Sequence, residues 1–148
     1  MKLDPVARRF VGEWRLESIR DRLPGGREEQ HPDFGRDVDG VLAYTASGRM
    51  SVQFMRVGRR SWKREEAPTD AERADACRGY GAYAGRFDVD EEAGAVRHHV
   101  ETALIPNRIG TTLTRFFSFE GDRLTLSPPP LLRDGTEVHR SLVWRRME

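Results

Sequence analysis

Cysteine is nearly absent from this chain of 148 residues, because Cys77 is the only one. A single thiol excludes an intrachain disulfide and a zinc site built from several cysteines. Long apolar runs are also missing. Residues 1–9 hold no apolar core of the kind found in signal peptides, and no later stretch is long enough for a membrane span. The sequence therefore predicts a cytoplasmic protein with no membrane partner.

An excess of either charge is missing as well. The 25 Lys and Arg residues nearly cancel the 24 Asp and Glu residues, which gives a formal net charge of +1 at pH 7. A dedicated nucleic-acid-binding protein normally carries a basic excess. The basic stretch 56–64 runs directly into Glu65 and Glu66, a pattern that is typical of a solvated loop. We therefore predict no nucleic-acid partner.

Motifs for nucleotide binding and for serine-hydrolase chemistry are absent. The chain has no glycine-rich loop between a strand and a helix, and no Gly-x-Ser-x-Gly segment. His98 and His99 are neighbours in a predicted strand, so their side chains leave opposite faces and cannot share one metal ion. The sequence predicts no metal site and no cofactor, with haem ligation by His98 as a minor alternative.

Alternation of apolar and polar residues is the pattern that the chain does contain. A period of two is typical of half-buried strands, and glycine-rich turns separate the segments. The alternating segments lie at about 12–23, 37–44, 49–57, 83–89, 96–104, 113–119, 124–126 and 138–146. About eight antiparallel strands in consecutive hairpins close most readily into an up-and-down barrel, which removes exposed edges. We predict an all-β fold in a single domain, residues 1–148, with an open sandwich as the alternative.

Two short helices are predicted beside the strands. Asp4 and Pro5 provide an N-cap and a first helical position, and Gly12 ends that short helical turn. Thr69 and Glu72 have the spacing of a capping box and begin a helix that ends before Gly79. This second helix is inserted between the third and fourth strands of the barrel.

Several segments, in this order along the chain, resemble the bacterial lipocalin-like domain proteins. They are 12–16, 42–51, 82–85, 96–100, 106–107 with 110–111, 115–126 and 142–146. The resemblance implies a barrel of about eight strands around an apolar cavity. It also implies that Trp14 lies at the closed end, with an Arg of the last strand packed across it. Arg146 is the expected partner because it alternates in phase with Trp144, and we expect this pair to have a structural role.

A cluster of polar side chains is predicted inside the barrel. His98 and Arg115 each alternate in phase with apolar residues, and Tyr44 and Tyr83 face inward by the same test. A buried imidazole or guanidinium needs a polar partner, so we expect these four side chains to lie together. Arg115 would hold a carboxylate, enolate or carbonyl oxygen, while His98 and a tyrosine relay a proton. The alternative is an internal hydrogen-bond network that only fixes the strand register.

The expected cavity wall and mouth complete the candidate site. The two faces of the strand at 49–57 are Met50, Val52 and Phe54 on one side and Ser51, Gln53 and Met55 on the other. We expect the first, more uniformly apolar face to line the cavity. The loops at 24–36 and 56–68 are expected at the mouth, with Phe34 and Trp62 covering the ligand. The predicted ligand-binding residues are Tyr44, Met50, Val52, Phe54, Trp62, Tyr83, His98, Arg115 and Phe117.

Two functions fit these features. The first is a carrier or sensor that binds a small apolar or amphipathic molecule in the barrel cavity. The alternative is a cofactor-independent cyclase or isomerase acting on a polyketide-like or other natural-product intermediate, for which Tyr44, Tyr83, His98 and Arg115 are the candidate catalytic residues. The oligomeric state is not predicted.

Overall fold

The computed structural model describes residues 3–148, which form ten β-strands, two α-helices and one 3-10 turn. In chain order the elements are α1 (Pro5–Phe10), β1 (Gly12–Arg22), β2 (Glu28–Glu29), β3 (Val38–Tyr44), β4 (Arg49–Arg56), α2 (Asp70–Arg78), β5 (Tyr80–Asp90), β6 (Ala95–Ala103), the 3-10 turn (Pro106–Arg108), β7 (Thr112–Glu120), β8 (Arg123–Ser127), β9 (Leu131–Arg133) and β10 (Thr136–Arg146). The all-β prediction is confirmed.

Eight antiparallel strands close into a barrel. The hydrogen-bonded order is β1-β3-β4-β5-β6-β7-β8-β10, and β10 returns to pair with β1. The two short strands β2 and β9 extend the sheet beside β1 and β10. Closure leaves no long unpaired strand edge in the described part of the chain, which is the physical reason that a series of hairpins adopts this form. The predicted barrel, with a helix inserted between β4 and β5, is confirmed.

The helix α1 plugs one end of the barrel. Asp4 caps it, because its side chain accepts a hydrogen bond from the Ala7 backbone N–H at 2.8 Å. Phe10, at the end of the helix, is completely buried. Its ring packs edge-on against Phe117 and Phe119, with ring centroids 5.0 Å and 4.9 Å away. This end of the barrel is therefore filled by side chains.

Trp14 and Arg146 seal the same end, as predicted. The Arg146 guanidinium carbon lies 4.1 Å from the centroid of the Trp14 ring, in a cation–π contact. The Trp14 indole N–H donates to the Phe10 carbonyl oxygen at 2.9 Å. Arg146 also donates to the carbonyl oxygens of Arg9 and Val11, at 2.6 Å and 2.8 Å. These bonds fasten the last turn of α1 to the barrel wall.

A bulge in β1 corrects the predicted alternation of that strand. The pairing of β1 with β10 shifts register between Leu16 and Ser18. One extra residue reverses the side of every later side chain. A strict period of two from Trp14 and Leu16 would turn Ser18 inward, but after the bulge Ile19 and Asp21 are the residues buried inside the barrel.

A second bulge corrects the end of β6. Its pairing with β5 shifts register just after Val100, so Thr102 and Leu104, which a strict period of two from His98 and Val100 would turn inward, are exposed. The strand crosses very close to Gly85 at this point, where an added Cβ would collide with the His99 carbonyl oxygen. Only glycine fits this position in β5.

The inner face of β4 is the one predicted. Met50 and Val52 are buried and Phe54 is half-buried, whereas Ser51 and Gln53 are exposed. The strand therefore turns its apolar face to the interior, because burial of that face stabilises the barrel.

The helix α2 lies outside the barrel, next to β5. Its capping box is present as predicted: the Thr69 hydroxyl accepts from the Glu72 N–H at 3.1 Å, and the Glu72 carboxylate accepts from the Thr69 N–H at 2.9 Å. None of its residues is buried. Of the helices that residues 3–148 form, none has the length and apolar character needed to cross a membrane.

Candidate functional site

A cavity of about 340 Å³ occupies the barrel between the plugged end and the loops at the opposite end. Most of the side chains around it are apolar, and the polar ones come from a few positions. Its wall consists of Ile19, His31, Phe34, Leu42, Val52, Phe54, Tyr83, His98, Arg108, Leu113, Arg115, Leu126, Pro128, Pro129, Leu131, Arg140, Leu142 and Trp144. An apolar cavity with a few convergent polar groups is the usual form of a small-molecule site.

His98 on β6 lies between two tyrosines in the interior. Its Nε2 is 2.7 Å from the Tyr44 hydroxyl oxygen, and its Nδ1 is 2.8 Å from the Tyr83 hydroxyl oxygen. All three side chains are buried, with His98 only 1% exposed. The prediction that His98 faces inward and meets these tyrosines is confirmed.

The hydrogen bonds of Tyr44 determine which nitrogen of His98 carries the proton. Tyr44 lies between the cavity and the plugged end of the barrel. Within residues 3–148 its hydroxyl has His98 as its one hydrogen-bond partner. Its O–H must therefore donate to Nε2, because otherwise a buried hydroxyl hydrogen would lack an acceptor. His98 then donates its Nδ1–H to Tyr83. This leaves the Tyr83 O–H free to donate, and Tyr83 lines the cavity.

Burial keeps this cluster uncharged. Desolvation, followed by the nearby charges of Arg115 and His99, lowers the pKa of His98 from 6.5 to about 3. Burial likewise raises the pKa of the Tyr44 and Tyr83 hydroxyls above their ordinary value, and Arg115 partly opposes that rise. At neutral pH the imidazole and both phenols are therefore neutral hydrogen-bonding groups.

Two guanidinium groups of the cavity wall, those of Arg108 and Arg115, have no carboxylate partner among residues 3–148. Arg115 on β7 is half-buried; its side chain donates to the Thr114 carbonyl oxygen at 3.0 Å and lies within hydrogen-bonding reach of the Tyr83 hydroxyl, whose rise in pKa it opposes. Arg108, in the 3-10 turn, has its guanidinium carbon 5.8 Å from the centroid of the Tyr83 ring. Burial, together with repulsion from Arg115, lowers the pKa of Arg108. Both guanidiniums therefore lie near the Tyr83 hydroxyl.

Asp21 is a buried carboxylate that the sequence analysis missed. It accepts hydrogen bonds from Arg140 Nε at 2.8 Å and from Arg133, and its side chain is fully buried. Burial alone raises the pKa of Asp21, but the hydrogen bonds from both arginines outweigh this effect and lower it. Asp21 faces inward only because of the β1 bulge, whose signal in the sequence is the change from even to odd apolar positions between Leu16 and Ile19. The cavity-lining Arg140 is thus held by an ion pair.

Eight of the nine predicted ligand-binding residues, all but Trp62, divide into two groups by depth. Those that line the cavity are Val52, Phe54, Tyr83, His98 and Arg115. Tyr44, Met50 and Phe117 face inward but lie in the packed core below the cavity. They do not line this cavity, because Phe10 of α1 fills the part of the barrel next to the plugged end and packs against Tyr44 and Phe117.

Phe34 lies at the mouth of the cavity, where the loop 24–36 was expected. Its ring is 5.0 Å from the ring of Phe54, between centroids, and it is buried. The loop is folded back on itself by a bridge between His31 and Gly35. His31 is also part of the cavity wall, and burial lowers its pKa to about 4.

Trp62 does not lie at the mouth, so its prediction as a lid was wrong. It lines a shallow depression on the outer surface together with Tyr80 and Leu104. The Lys63 N–H donates to the Glu72 carboxylate at 2.9 Å, which ties this segment to α2 outside the barrel. Loop length alone did not indicate on which side of the wall the loop would lie.

Haem ligation by His98 is also not supported by the geometry. Both ring nitrogens of His98 are engaged by tyrosine hydroxyls at 2.7 Å and 2.8 Å. An axial ligand needs a nitrogen lone pair that is directed at the iron. His98 has none available in this arrangement.

Comparison with known proteins agrees with the barrel and its cavity. Residues 11–147 match the family described as lipocalin-like domain. A protein of Aspergillus oryzae, named a 4′-hydroxy-3′-methoxypropiophenone carrier protein, is 41% identical over 107 residues, and the match covers 66% of this chain and 96% of that protein. A barrel of this kind suits the binding of a small molecule. The chain belongs to the family of lipocalin-like domains.

Proposed function

We propose that this protein is a non-catalytic carrier that holds one small amphipathic molecule in the barrel. The observation that carries the proposal is the cavity of about 340 Å³, with mainly apolar walls. This volume is near the lower end of the range of about 300–1,000 Å³ that is usual for ligand pockets. It therefore suits a molecule with a single substituted ring better than a long lipid chain.

The arrangement of the wall supports an aromatic ligand with one polar end. Phe34, Phe54 and Trp144 offer aromatic surface, whereas Tyr83 and Arg115 offer hydrogen-bond donors. The relative from A. oryzae is named as the carrier of a phenolic ketone. We infer that a substituted phenyl ketone is a suitable ligand for this chain too.

The chemistry of His98 favours a carrier over the alternative, a cyclase or isomerase. A general base works best when its pKa is close to the operating pH. The pKa of His98 is about 3, so it is a weak base at neutral pH. The nitrogen that lacks a proton already accepts from Tyr44, which lies below the cavity.

We also propose that the protein acts as a single domain in the cytoplasm. Cys77 is exposed and free, which is usual in a reducing compartment.

The first test is direct binding. The protein is purified from its own cells for native mass spectrometry, which should reveal a co-purifying small molecule. Calorimetric titration with 4′-hydroxy-3′-methoxypropiophenone should then show one binding site for each chain. Absence of both a co-purifying molecule and binding of the ketone would contradict the proposal.

Matched variants then locate the site. Val52→Trp fills the cavity from β4 and should weaken binding at least tenfold, whereas Ser51→Trp projects from the outer face of the same strand and should not. Because Val52→Trp risks overpacking, Phe34→Ala at the mouth is the second variant. Circular dichroism checks that each variant is folded. If Ser51→Trp weakened ligand binding as much as Val52→Trp, the ligand would lie outside this cavity.

A further inference from the structure

We infer that the cavity recognises its ligand through an anionic oxygen, a carboxylate or an ionised phenol, bound by Arg115 with Arg108 and the Tyr83 hydroxyl beside it. The inference rests on the proposed carrier function and assigns the chemistry of the ligand's polar end. It follows from three features of the wall, which are its charge, the position of its unpaired groups and its hydrogen-bonding character.

The wall of the cavity carries uncompensated positive charge. Its ionisable side chains are His31, Tyr83, His98, Arg108, Arg115 and Arg140, and no Asp or Glu is among the described residues that line it. Arg140 is neutralised by the buried Asp21 behind it. Both histidines are neutral at pH 7, with pKa values of about 4 and about 3. Two full charges remain, on Arg108 and Arg115.

These two charges lie close enough to disturb each other. Repulsion from Arg115, added to burial, lowers the pKa of Arg108. Half-buried like charges without a counter-ion cost free energy, which a bound anion between them would recover. Both arginines are also close to Tyr83: Arg115 opposes the rise in its pKa, and Arg108 lies over its ring. The unpaired groups therefore converge on one part of the wall.

This part of the wall offers donors and no free acceptor. Arg108 and Arg115 can only donate, and the Tyr83 oxygen already accepts from His98 Nδ1–H, so its O–H is left to donate. Trp144 lines the same cavity, and its indole N–H is buried without a partner among residues 3–148. A ligand group that only accepts hydrogen bonds, and carries negative charge, complements this set best. Amines and other cations are disfavoured by the same groups.

The test compares matched nitroaromatic probes that differ only in the polar end. Equilibrium dialysis at pH 8 measures binding of 4-nitrobenzoate, of 4-nitrophenolate and of their neutral counterparts, methyl 4-nitrobenzoate and 4-nitroanisole. We expect at least one anion to bind tenfold or more tightly than its neutral counterpart. The anion that is preferred identifies the source of the oxygen, carboxylate or phenolate.

Arginine variants then assign the preference to residues. Arg115→Met keeps an unbranched apolar stem without the charge, and should weaken anion binding tenfold or more while changing neutral-probe binding less than twofold. Arg86→Met, on the outer surface of β5, is the matched control and should change neither. Because Arg115 is half-buried, Arg108→Met in the 3-10 turn is a second variant with the same expected selectivity loss.

The outcomes separate this inference from the carrier function. Equal affinity of wild type for neutral and anionic probes, or unchanged preference in both arginine variants, would overturn the anion site and leave the carrier proposal in place. Binding of none of the four probes, together with no binding of the phenolic ketone, would overturn both.

Discussion

Tyr44, Tyr83 and His98 come from three different strands, β3, β5 and β6. Their two hydrogen bonds connect side chains that are up to 54 residues apart in the chain. In a low-dielectric interior such bonds are strong, and an unmatched member is costly. The cluster therefore has two roles, since it stabilises the interior and orients the Tyr83 hydroxyl toward the cavity.

Tyr44→Phe tests the first role. The change removes the donor to His98 Nε2 and leaves a buried acceptor unpaired, so we expect the free energy of unfolding to fall by about 1–3 kcal/mol. Urea denaturation measures this change. Tyr80→Phe is the control, because its hydroxyl bonds to Gln53 on the exposed outer face and its loss should cost less than about 0.5 kcal/mol. If Tyr44→Phe lost no more unfolding free energy than Tyr80→Phe, the buried hydrogen bond would add nothing to stability.

The lowered pKa of His98 predicts a pH dependence of stability. Below pH 6.5 the unfolded chain protonates this imidazole, but the folded protein does not until pH about 3. The unfolded state therefore binds more protons in this window, and stability falls as the pH falls from 6.5 toward 3, with a slope of up to about 1.4 kcal/mol per pH unit. His31, with a pKa of about 4, acts in the same sense.

Denaturation midpoints measured between pH 7 and pH 4.5 check this expectation. His98→Gln keeps a side chain that can bond to both tyrosines and should flatten the slope. His139→Gln removes an exposed imidazole and should leave the slope as it is. A wild-type slope in His98→Gln would show that other groups control the acid stability.

At the scale of elements, the plugged end is built by α1, the start of β1 and the end of β10. Trp14 on β1 is 1% exposed and is covered by Arg146 of β10. A buried indole that bonds to α1 fastens the helix as well as filling space. The N-terminal helix is thereby made part of the barrel although it has only six residues.

Trp14→Ala is expected to lower the free energy of unfolding by about 3–5 kcal/mol, because it removes a large buried aromatic side chain. Ligand preference should stay the same, since Trp14 lies outside the cavity wall. Differential scanning calorimetry measures the loss. Trp62→Ala, on the outer surface, should change stability by less than about 0.5 kcal/mol and leave ligand binding intact. Equal melting of Trp14→Ala and wild type would contradict the role of Trp14.

The alternating pattern predicted the inner faces of whole strands until a bulge interrupted them. It placed Val52 on β4 and Arg115 on β7 correctly, because those strands keep a strict period of two up to the cavity. It failed beyond Leu16 in β1 and beyond Val100 in β6, where one extra residue reverses the faces. The change of phase from Leu16 to Ile19 marks the first interruption, but the residue at which a strand bulges depends on its cross-strand pairing.

The candidate site was predicted to the extent that it lies on regular strands. His98 and its two tyrosines followed from inward alternation. Arg108 lies in a 3-10 turn, where no periodicity indicates direction, and Asp21 follows the β1 bulge. Both were therefore missed, although each affects the charge of the cavity.

At the scale of the whole molecule, the two ends of the barrel differ in construction. One end is filled by α1 and the aromatic side chains around Phe10. The other end carries the long connections, including the loop 24–36 with Phe34 and the connection that holds Arg108. Segments with few buried contacts open with smaller free energies than a packed core.

Hydrogen exchange followed by mass spectrometry should show this difference. We expect peptides from α1 and the first half of β1 to exchange most slowly, and those from the two loops at the mouth, 24–36 and 104–111, to exchange much faster. A saturating ligand should slow exchange in these two loops but not in 57–69, which lies outside the barrel with Trp62. Protection confined to 57–69 would move the binding site to the outer surface.

The closure of one end of the barrel by α1, Trp14 and Arg146 determines how a ligand can enter and leave. Because this end of the barrel is filled, a ligand enters and leaves through the opposite end by the same route. The end of the molecule that enters last must leave first. Any enzyme that receives the ligand directly would have to bind at the mouth around Phe34. A bound enzyme would then block the entry of a second ligand molecule.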